Sequence, residues 1–173
     1  MNSQCNEPAQ AICNAGACTD TRMVFVSIFQ RAPPISQSGA DFLCNDEAQT
    51  RLQPGTYKAW LSTSTASAAS TMNHAQVPYI RADRQKIADN WADLTDGSLD
   101  APILLRLTQS PATGSVWTGT LPDGTSAASN CNNFSTAGAM GTTGLVNSTS
   151  GTWTNDTPST LCSTSLSFIC VEQ

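Results

Sequence analysis

Seven cysteines in a chain of 173 residues with a single histidine constrain the fold more than any other feature. They are Cys5, Cys13, Cys18, Cys44, Cys131, Cys162 and Cys170. Zinc sites need closely spaced thiolate or imidazole ligands, and this chain has no CxxC. Its nearest cysteines are separated by seven, four and seven residues, and His74 is the lone histidine. Disulfides, and therefore an oxidising compartment, are the reading that fits. Seven is odd, so one thiol is left over or pairs outside this chain. Ser and Thr make up about a quarter of the residues and charged residues only 12%. That composition points to a turn-rich, polar-surfaced and largely β protein.

The net charge of -5 and the scattered basic residues exclude nucleic acid, heparin and anionic membrane as natural partners. Only Arg81, Arg84 and Lys86 stand close together. No apolar run is long enough to span a bilayer. Met1 to Cys5 lacks the basic and apolar regions of a signal peptide, and Met1 reads as an expression start on a fragment of a larger exported protein.

Residues 1–21, with three cysteines and no periodicity, read as a Cys-containing leader or the end of an upstream stalk; residues 22–173 read as one domain. By proximity Cys13 pairs with Cys18, leaving Cys5 as the odd one. Met23 to Ile28 is β-branched and apolar, a first strand stopped by Pro33 and Pro34. From Ser38 to Leu52 the residues Ala40, Leu43, Cys44, Ala48 and Leu52 recur at helical spacing, with Ser38 as cap, Asp41 three residues on and Pro54-Gly55 as stop. Thr56 to Ser62 alternates as a strand and Ser62 to Ser70 reads as a loop. A short hairpin follows over 79–88, then strands over 103–107 and 115–120, the second ending in the turn Pro122-Asp123-Gly124. Residues 125–160 show no element, yet Cys131 and Cys162 at the two ends argue for an ordered loop region. Leu166 to Val171 closes the chain as a strand. Trp60, Trp91 and Trp117, each beside Leu, Ala or Val, are expected in the core.

The ending Cys162-Ser-Thr-Ser-Leu-Ser-Phe168-Ile169-Cys170-Val-Glu resembles the terminus of C-type-lectin-like domains. Gly55-Thr-Tyr-Lys-Ala-Trp60-Leu-Ser, Asp89-Asn-Trp91-Ala-Asp-Leu-Thr-Asp-Gly97 and Val116-Trp117-Thr-Gly119-Thr are similar to the endostatin-like variant found on bacterial surface and exported proteins. The resemblance covers about residues 22–173. It implies an α+β fold with antiparallel sheets, one or two helices and a long polar loop region. It also implies an early-helix cysteine bonded to the last one, here Cys44 to Cys170, and an inner pair, Cys131 to Cys162. Cross-links closing loops this long stabilise by roughly 5 and roughly 3.5 to 4 kcal/mol in the chain-entropy account.

Calcium-dependent members of that family bind the ion and a sugar through acidic and amide loop residues. Here Leu121-Pro122-Asp123, Ser129-Asn130 and Trp153-Thr-Asn155-Asp156 keep the skeleton of those motifs. Leu121 and Ser129 stand where the resemblance expects stronger ligands, and Thr154 is inserted. Calcium needs six to eight oxygen ligands, so no cofactor is expected; were calcium to bind, Asp123, Asn155 and Asp156 would be its ligands. Endostatin's zinc histidines and arginine-rich face have no counterpart, since His74 reads as an exposed loop residue. Asp89, Asp93 and Asp96 read as turn and cap residues. Nucleophilic hydrolysis lacks its motif, and paired carboxylates among Asp93, Asp96, Asp123 and Asp156 are the one catalytic alternative. The expected role is non-enzymatic. It is extracellular recognition of a cell-surface glycan or a host or target protein, by the terminal module of an exported protein or fibre assembled through an upstream stalk. The ligand-binding residues expected from the loop region are Asp123, Asn130, Asn132, Asn133, Trp153, Asn155 and Asp156, with calcium-dependent sugar binding as the alternative.

Overall fold

A computed structural model describes the backbone of residues 12–14 and 17–173 and the side chains from Thr19 onward. Strands β1 (Ile12–Asn14) and β2 (Ala17–Thr19) form a separate two-stranded antiparallel sheet that sets Cys13 opposite Cys18. That is the pair expected by proximity, but their side chains, and all of Cys5, lie outside the described residues. The body continues with β3 (Arg22–Val26), helix α1 (Gln37–Thr50), β4 (Tyr57–Ala59), the single-turn helix α2 (Ala68–Thr71), β5 (Tyr79–Ile80) and β6 (Lys86–Ala88). After the single-turn helix α3 (Trp91–Leu94) come β7 (Ser115–Trp117), β8 (Met140–Leu145), β9 (Thr157–Leu161) and β10 (Ser167–Glu172). No helix among the described residues is long and apolar enough to cross a membrane.

The last strand is the hub of an eight-stranded sheet ordered β6-β5-β3-β10-β7-β8-β9, with β4 also paired to β10. Its Ile169, Cys170 and Val171 run antiparallel to Val26, Phe25 and Val24 of β3. On the other edge its first residues pair parallel with β7 and its last antiparallel with β4. All six residues of β10 are buried, because both faces of the sheet are covered. The period of two in a strand sends alternate side chains to opposite faces. Val24, Val26, Val116, Ile169 and Val171 therefore enter one core with Trp60, Trp91 and Trp153. Met23, Phe25, Trp117, Phe168 and Cys170 enter the other with Ala40, Cys44 and Ala48 of α1. The molecule is thus a mixed α+β sandwich of helix, sheet and a layer of loops.

Two disulfides are described, Cys44 to Cys170 and Cys131 to Cys162, with Cα separations of 5.6 and 5.7 Å. The first ties α1 to the hub strand. Helix α1 also closes the outer edge of β4 without adding a strand. Asp41 Oδ1 accepts from Ala59 N at 2.8 Å, Asn45 Oδ1 accepts from Tyr57 N at 2.8 Å, and Asn45 Nδ2 donates to Tyr57 O at 2.6 Å. Side chains thereby satisfy backbone groups that an open edge would expose.

Several sequence expectations are corrected. Ser36, not Ser38, caps α1, its Oγ accepting from Gly39 N at 3.0 Å. Leu52 is not on the buried helical face: the helix ends first, and at φ 55° its side chain is 92% exposed. Residues 103–107 form no strand. Pro102 and Pro111 bracket a segment that offers Leu105 O to Val26 N and makes one bridge from Leu105 to Pro111. The loop expected over 62–70 contains α2. The region 125–160 is not without elements, since β8 and most of β9 lie there. The sheet is mixed rather than antiparallel, with β3–β5 and β7–β10 parallel.

Candidate functional site

Loops converge on one another beyond β7 and β8 because of how three short segments are tied. The first is the hairpin that bridges Thr120 and Ser126. Its turn closes through Leu121 N to Thr125 O at 2.8 Å and Gly124 N to Leu121 O at 2.9 Å, with Gly124 at φ 80°, a value that suits glycine. Asp123 is exposed at its tip, and its Oδ1 accepts from Thr125 N at 2.9 Å and from Thr125 Oγ1 at 2.6 Å. Those two bonds hold the Asp123 carboxyl below its ordinary pKa.

The second segment is a left-handed helical turn. Cys131, Asn132, Asn133 and Phe134 have φ of 57, 52, 60 and 56°, with Phe134 N donating to Asn130 O at 2.7 Å and Ser135 N to Cys131 O at 3.1 Å. Each L-residue in such a helix costs about 1 to 2 kcal/mol, asparagine being among the more tolerant. The surroundings impose the conformation. Cys131 is bonded to Cys162, the Phe134 ring is buried edge-on to Trp117, and Asn130 Oδ1 accepts from Asn133 N at 2.9 Å. Asn133 Oδ1 in turn accepts from Ser64 N at 2.7 Å.

The third segment, residues 62–67, lies between the other two. Ser126 Oγ donates to Thr63 O at 2.5 Å on one side, and Ser64 meets Asn133 on the other. The 62–67 loop thereby ties the hairpin that carries Asp123 to the turn that carries Asn130, Asn132 and Asn133, and these segments together make a polar loop face. Asn132 and Asn133 are exposed, while Asn130 is 7% exposed and serves as the cap of the turn. The Asn132 amide makes no side-chain hydrogen bond among the described residues.

Trp153 does not belong to that face. It ends a 3-10 turn (Gly151–Trp153) and is 1% exposed, its ring 5.0 Å from that of Trp60, so it presents no surface on which a ligand could stack. The backbone of Trp153 lies close against β8, where a Cβ on Gly144 would lie 2.0 Å from Trp153 O. Asn155 is half-buried with its N–H on Gly151 O at 3.0 Å, and Gly151 packs against Pro122 of the hairpin. Asp156 is exposed and accepts from Thr157 Oγ1 at 2.9 Å. These two flank the face rather than share its hydrogen bonds. Asp93 and Asp96 cap their own turns through Asp89 N and Ser98 N, and no three His, Cys, Asp or Glu side chains gather among the described residues.

The residues that sequence reasoning missed are those that hold the face in place. Thr154, an insertion in the motif comparison, is fully buried. Trp60 Nε1 donates to its Oγ1 at 2.7 Å, that hydroxyl donates to Thr120 O at 3.0 Å, and Thr118 Oγ1 donates to Thr154 O at 2.6 Å. Thr120 Oγ1 lies 2.8 Å from Ser62 Oγ, which accepts from Ala68 N at 3.0 Å. This hydroxyl chain fastens the base of the hairpin to the 62–67 loop. His74, expected as an exposed loop residue, is exposed and also lies flat on Trp91, ring centroids 4.2 Å apart, with Nε2 2.8 Å from Ala69 O. Contacts of this range leave no local signal in a sequence. No protein-family model matches the chain, and neither does any curated protein.

Proposed function

We propose that this chain is a non-enzymatic recognition module of an exported protein, in which a C-type-lectin-like body presents the loop face to a ligand on another cell or in its matrix. The strained left-handed turn carries the reading. Strain of this kind survives only where the surroundings over-determine it, and it gathers at functional sites. Here a buried disulfide, an aromatic anchor and two asparagine bonds hold Asn132 and Asn133 outward on a fixed backbone. A preorganised backbone loses little entropy on binding. The C-type-lectin-like reading draws support from the first and last strands pairing, the early helix bonded to the last strand and the inner disulfide under the loops. Extracellular placement is supported by the disulfides.

Glycan-array screening followed by pull-down from target-cell extracts tests the proposal, with Asn132→Gly as the control. Glycine keeps the left-handed backbone and removes the amide. Ligand capture should fall at least tenfold in the variant, at a melting temperature no lower than that of wild type. Capture indifferent to Asn132 and to Asp123→Ala would refute the assignment of the face.

A further inference from the structure

The outer edges of the eight-stranded sheet are finished in different ways. That of β4 is closed by Asp41 and Asn45 of α1. At β6, Asp100 N donates to Ile87 O at 3.0 Å, and Lys86 is paired with Asp89 and Asp100. Covering segments and charged side chains of this kind keep an edge from pairing with another chain. Strand β9 ends the sheet on the far side, pairs with β8 alone among the described residues and carries no charge from Thr157 to Leu161.

The outward groups of β9 follow from its register. Cys162 N donates to Ala139 O at 3.0 Å, and Leu161 and Thr160 pair with Met140 and Gly141. In an antiparallel ladder the amides of successive residues alternate between the partner strand and the open side. Thr160 thus faces β8, and the N–H groups of Ser159 and Leu161 face outward. Pro158 falls in the irregular step between Thr157 and Thr160, and by the same alternation its missing N–H is on the β8 side. Beside these amides stand Met140 and Leu161, directly opposite each other and 47 and 54% exposed.

Opposite charges flank the strand. Exposed Asp156 precedes it. Arg31, also exposed, stands beside the turn that follows. Thr164 N closes that turn on Leu161 O at 2.9 Å, and Thr164 O and Arg31 O both accept from Trp117 Nε1, at 3.3 and 3.2 Å. The Arg31 guanidinium donates to the neighbouring Gln30 O, and neither it nor Asp156 is in a salt bridge among the described residues. Two chains of net charge -5 repel each other, so a second copy must approach where the surface is neutral or complementary. A two-fold axis at Ser159 sets β9 antiparallel to its copy. Asp156 then lies opposite the partner's Cys162, at the end where the partner's Arg31 stands, and the symmetry makes the contact twice. A strand from another protein could use the same amides but would not call for opposite charges at the two ends of β9.

We propose that β9 is a homodimerisation edge, at which two copies pair antiparallel through the outward amides of Ser159 and Leu161. The exposed Met140 and Leu161 side chains and reciprocal ion pairs between Asp156 and Arg31 complete the contact. The dimer is independent of the loop face and needs no ligand.

Sedimentation equilibrium of the full chain over a wide concentration range tests it, with hydrogen exchange read at Ser159 and Leu161. The chain should dimerise reversibly, more weakly at high salt, and those two amides should gain protection as the dimer fills. Leu161→Lys should weaken the dimer about tenfold, and so should Arg31→Asp or Asp156→Arg alone, because the axis counts each change twice. The double variant Arg31→Asp, Asp156→Arg should restore it to within about threefold of wild type. All three side chains are exposed, so the variants should keep the wild-type melting temperature. A chain that is monomeric at every concentration overturns the proposal. So does a dimer indifferent to these variants, or one that the double reversal fails to restore.

Discussion

The two faces of the sheet are built from alternate residues of the same strands and stabilised by different means. On the helix side, α1 lays Ala40, Cys44 and Ala48 over Phe25, Phe168 and Cys170, and both described disulfides fall within that core. On the loop side there is no long helix and no disulfide among the described residues. Trp60, Trp91 and Trp153 fill the volume, and buried hydroxyls of Thr118, Thr120 and Thr154 join the irregular segments. Regular structure satisfies its own backbone, so its core can be small and cross-linked. Irregular segments must find partners for their backbone groups elsewhere, which is why the loop side buries polar side chains among its tryptophans. The candidate ligand surface spans the two sides, its left-handed turn anchored in the helix-side core through Cys131 and Phe134 and its hairpin held by the loop side's hydroxyls, so its geometry is set by side chains rather than by a ladder.

Four measurements would break or sharpen this contrast. The largest effect is expected from Cys44→Ala with Cys170→Ala, which should lower unfolding free energy by about 4 to 5 kcal/mol by chemical denaturation, since the bridge closes a separation of 126 residues. A loss under about 1 kcal/mol would mean that packing alone holds α1 to β10. On the loop side, Trp153→Ala should cost about 3 to 5 kcal/mol and reduce ligand capture only as far as it unfolds the chain. Full stability with lost binding would return Trp153 to the ligand face. Thr154→Val should cost about 1 to 3 kcal/mol, because Trp60 Nε1 is left buried without an acceptor. If the variant is as stable as wild type, the hydroxyl chain is not what fastens the hairpin.

The smallest effect concerns Glu47, a buried carboxylate on the helix side. Glu47 is 2% exposed, and its Oε2 accepts from Ser27 Oγ and Ile28 N, both at 2.9 Å, while Oε1 has no partner. Burial raises its pKa above the ordinary 4.5, against the opposing pull of those bonds and of Arg51 and Arg106. A raised carboxyl pKa contributes stability that is complete below the unfolded value and is lost as pH rises through the folded one. Melting temperatures of Glu47→Gln should therefore gain on wild type as pH rises from the acid side of 4.5 toward neutrality. A difference that stays constant with pH would show that the carboxylate is effectively solvated. Alongside these, added calcium or chelator should leave the melting temperature unchanged, and a rise with calcium would give the loop side an ionic staple of its own.

The comparison also explains which elements were legible. Strands β3 and β10 announce themselves because they are central and apolar on both faces. Helix α1 was visible from its small apolar residues, though its start and end moved by the geometry of Ser36 and Leu52. Strand β8 was not legible: Met-Gly-Thr-Thr-Gly-Leu carries glycine where other strands carry valine. A Cβ at Gly141 would lie 2.5 Å from Cys131 Sγ, and one at Gly144 would strike the backbone of Trp153. These glycines are demanded by close approach, and a close approach has no signature in the residues next to it. Strand β9, with Pro158 and mostly exposed side chains, is an edge strand and reads as a loop. Of the candidate site, the asparagines at 130, 132 and 133 were singled out by type, whereas Ser64 and Thr154 became visible only through partners far along the chain.

Sequence by itself determined the cysteine-rich, strand-rich character, the apolar strands β3 and β10, the early helix with its cysteine and the acidic, cation-poor loop region. Composition and local periodicity are properties of neighbouring residues and need no fold to be read. Tertiary structure alone decided that Trp153 is core, that Thr154 is the acceptor for Trp60 and that Cys131 to Phe134 coil to the left. Each of these is settled by groups distant in sequence, such as Cys162, Ser64 and Thr120. Long-range packing and hydrogen bonds override local backbone preference because burying an unpartnered group costs about 1 to 3 kcal/mol, as much as the strain of a left-handed residue.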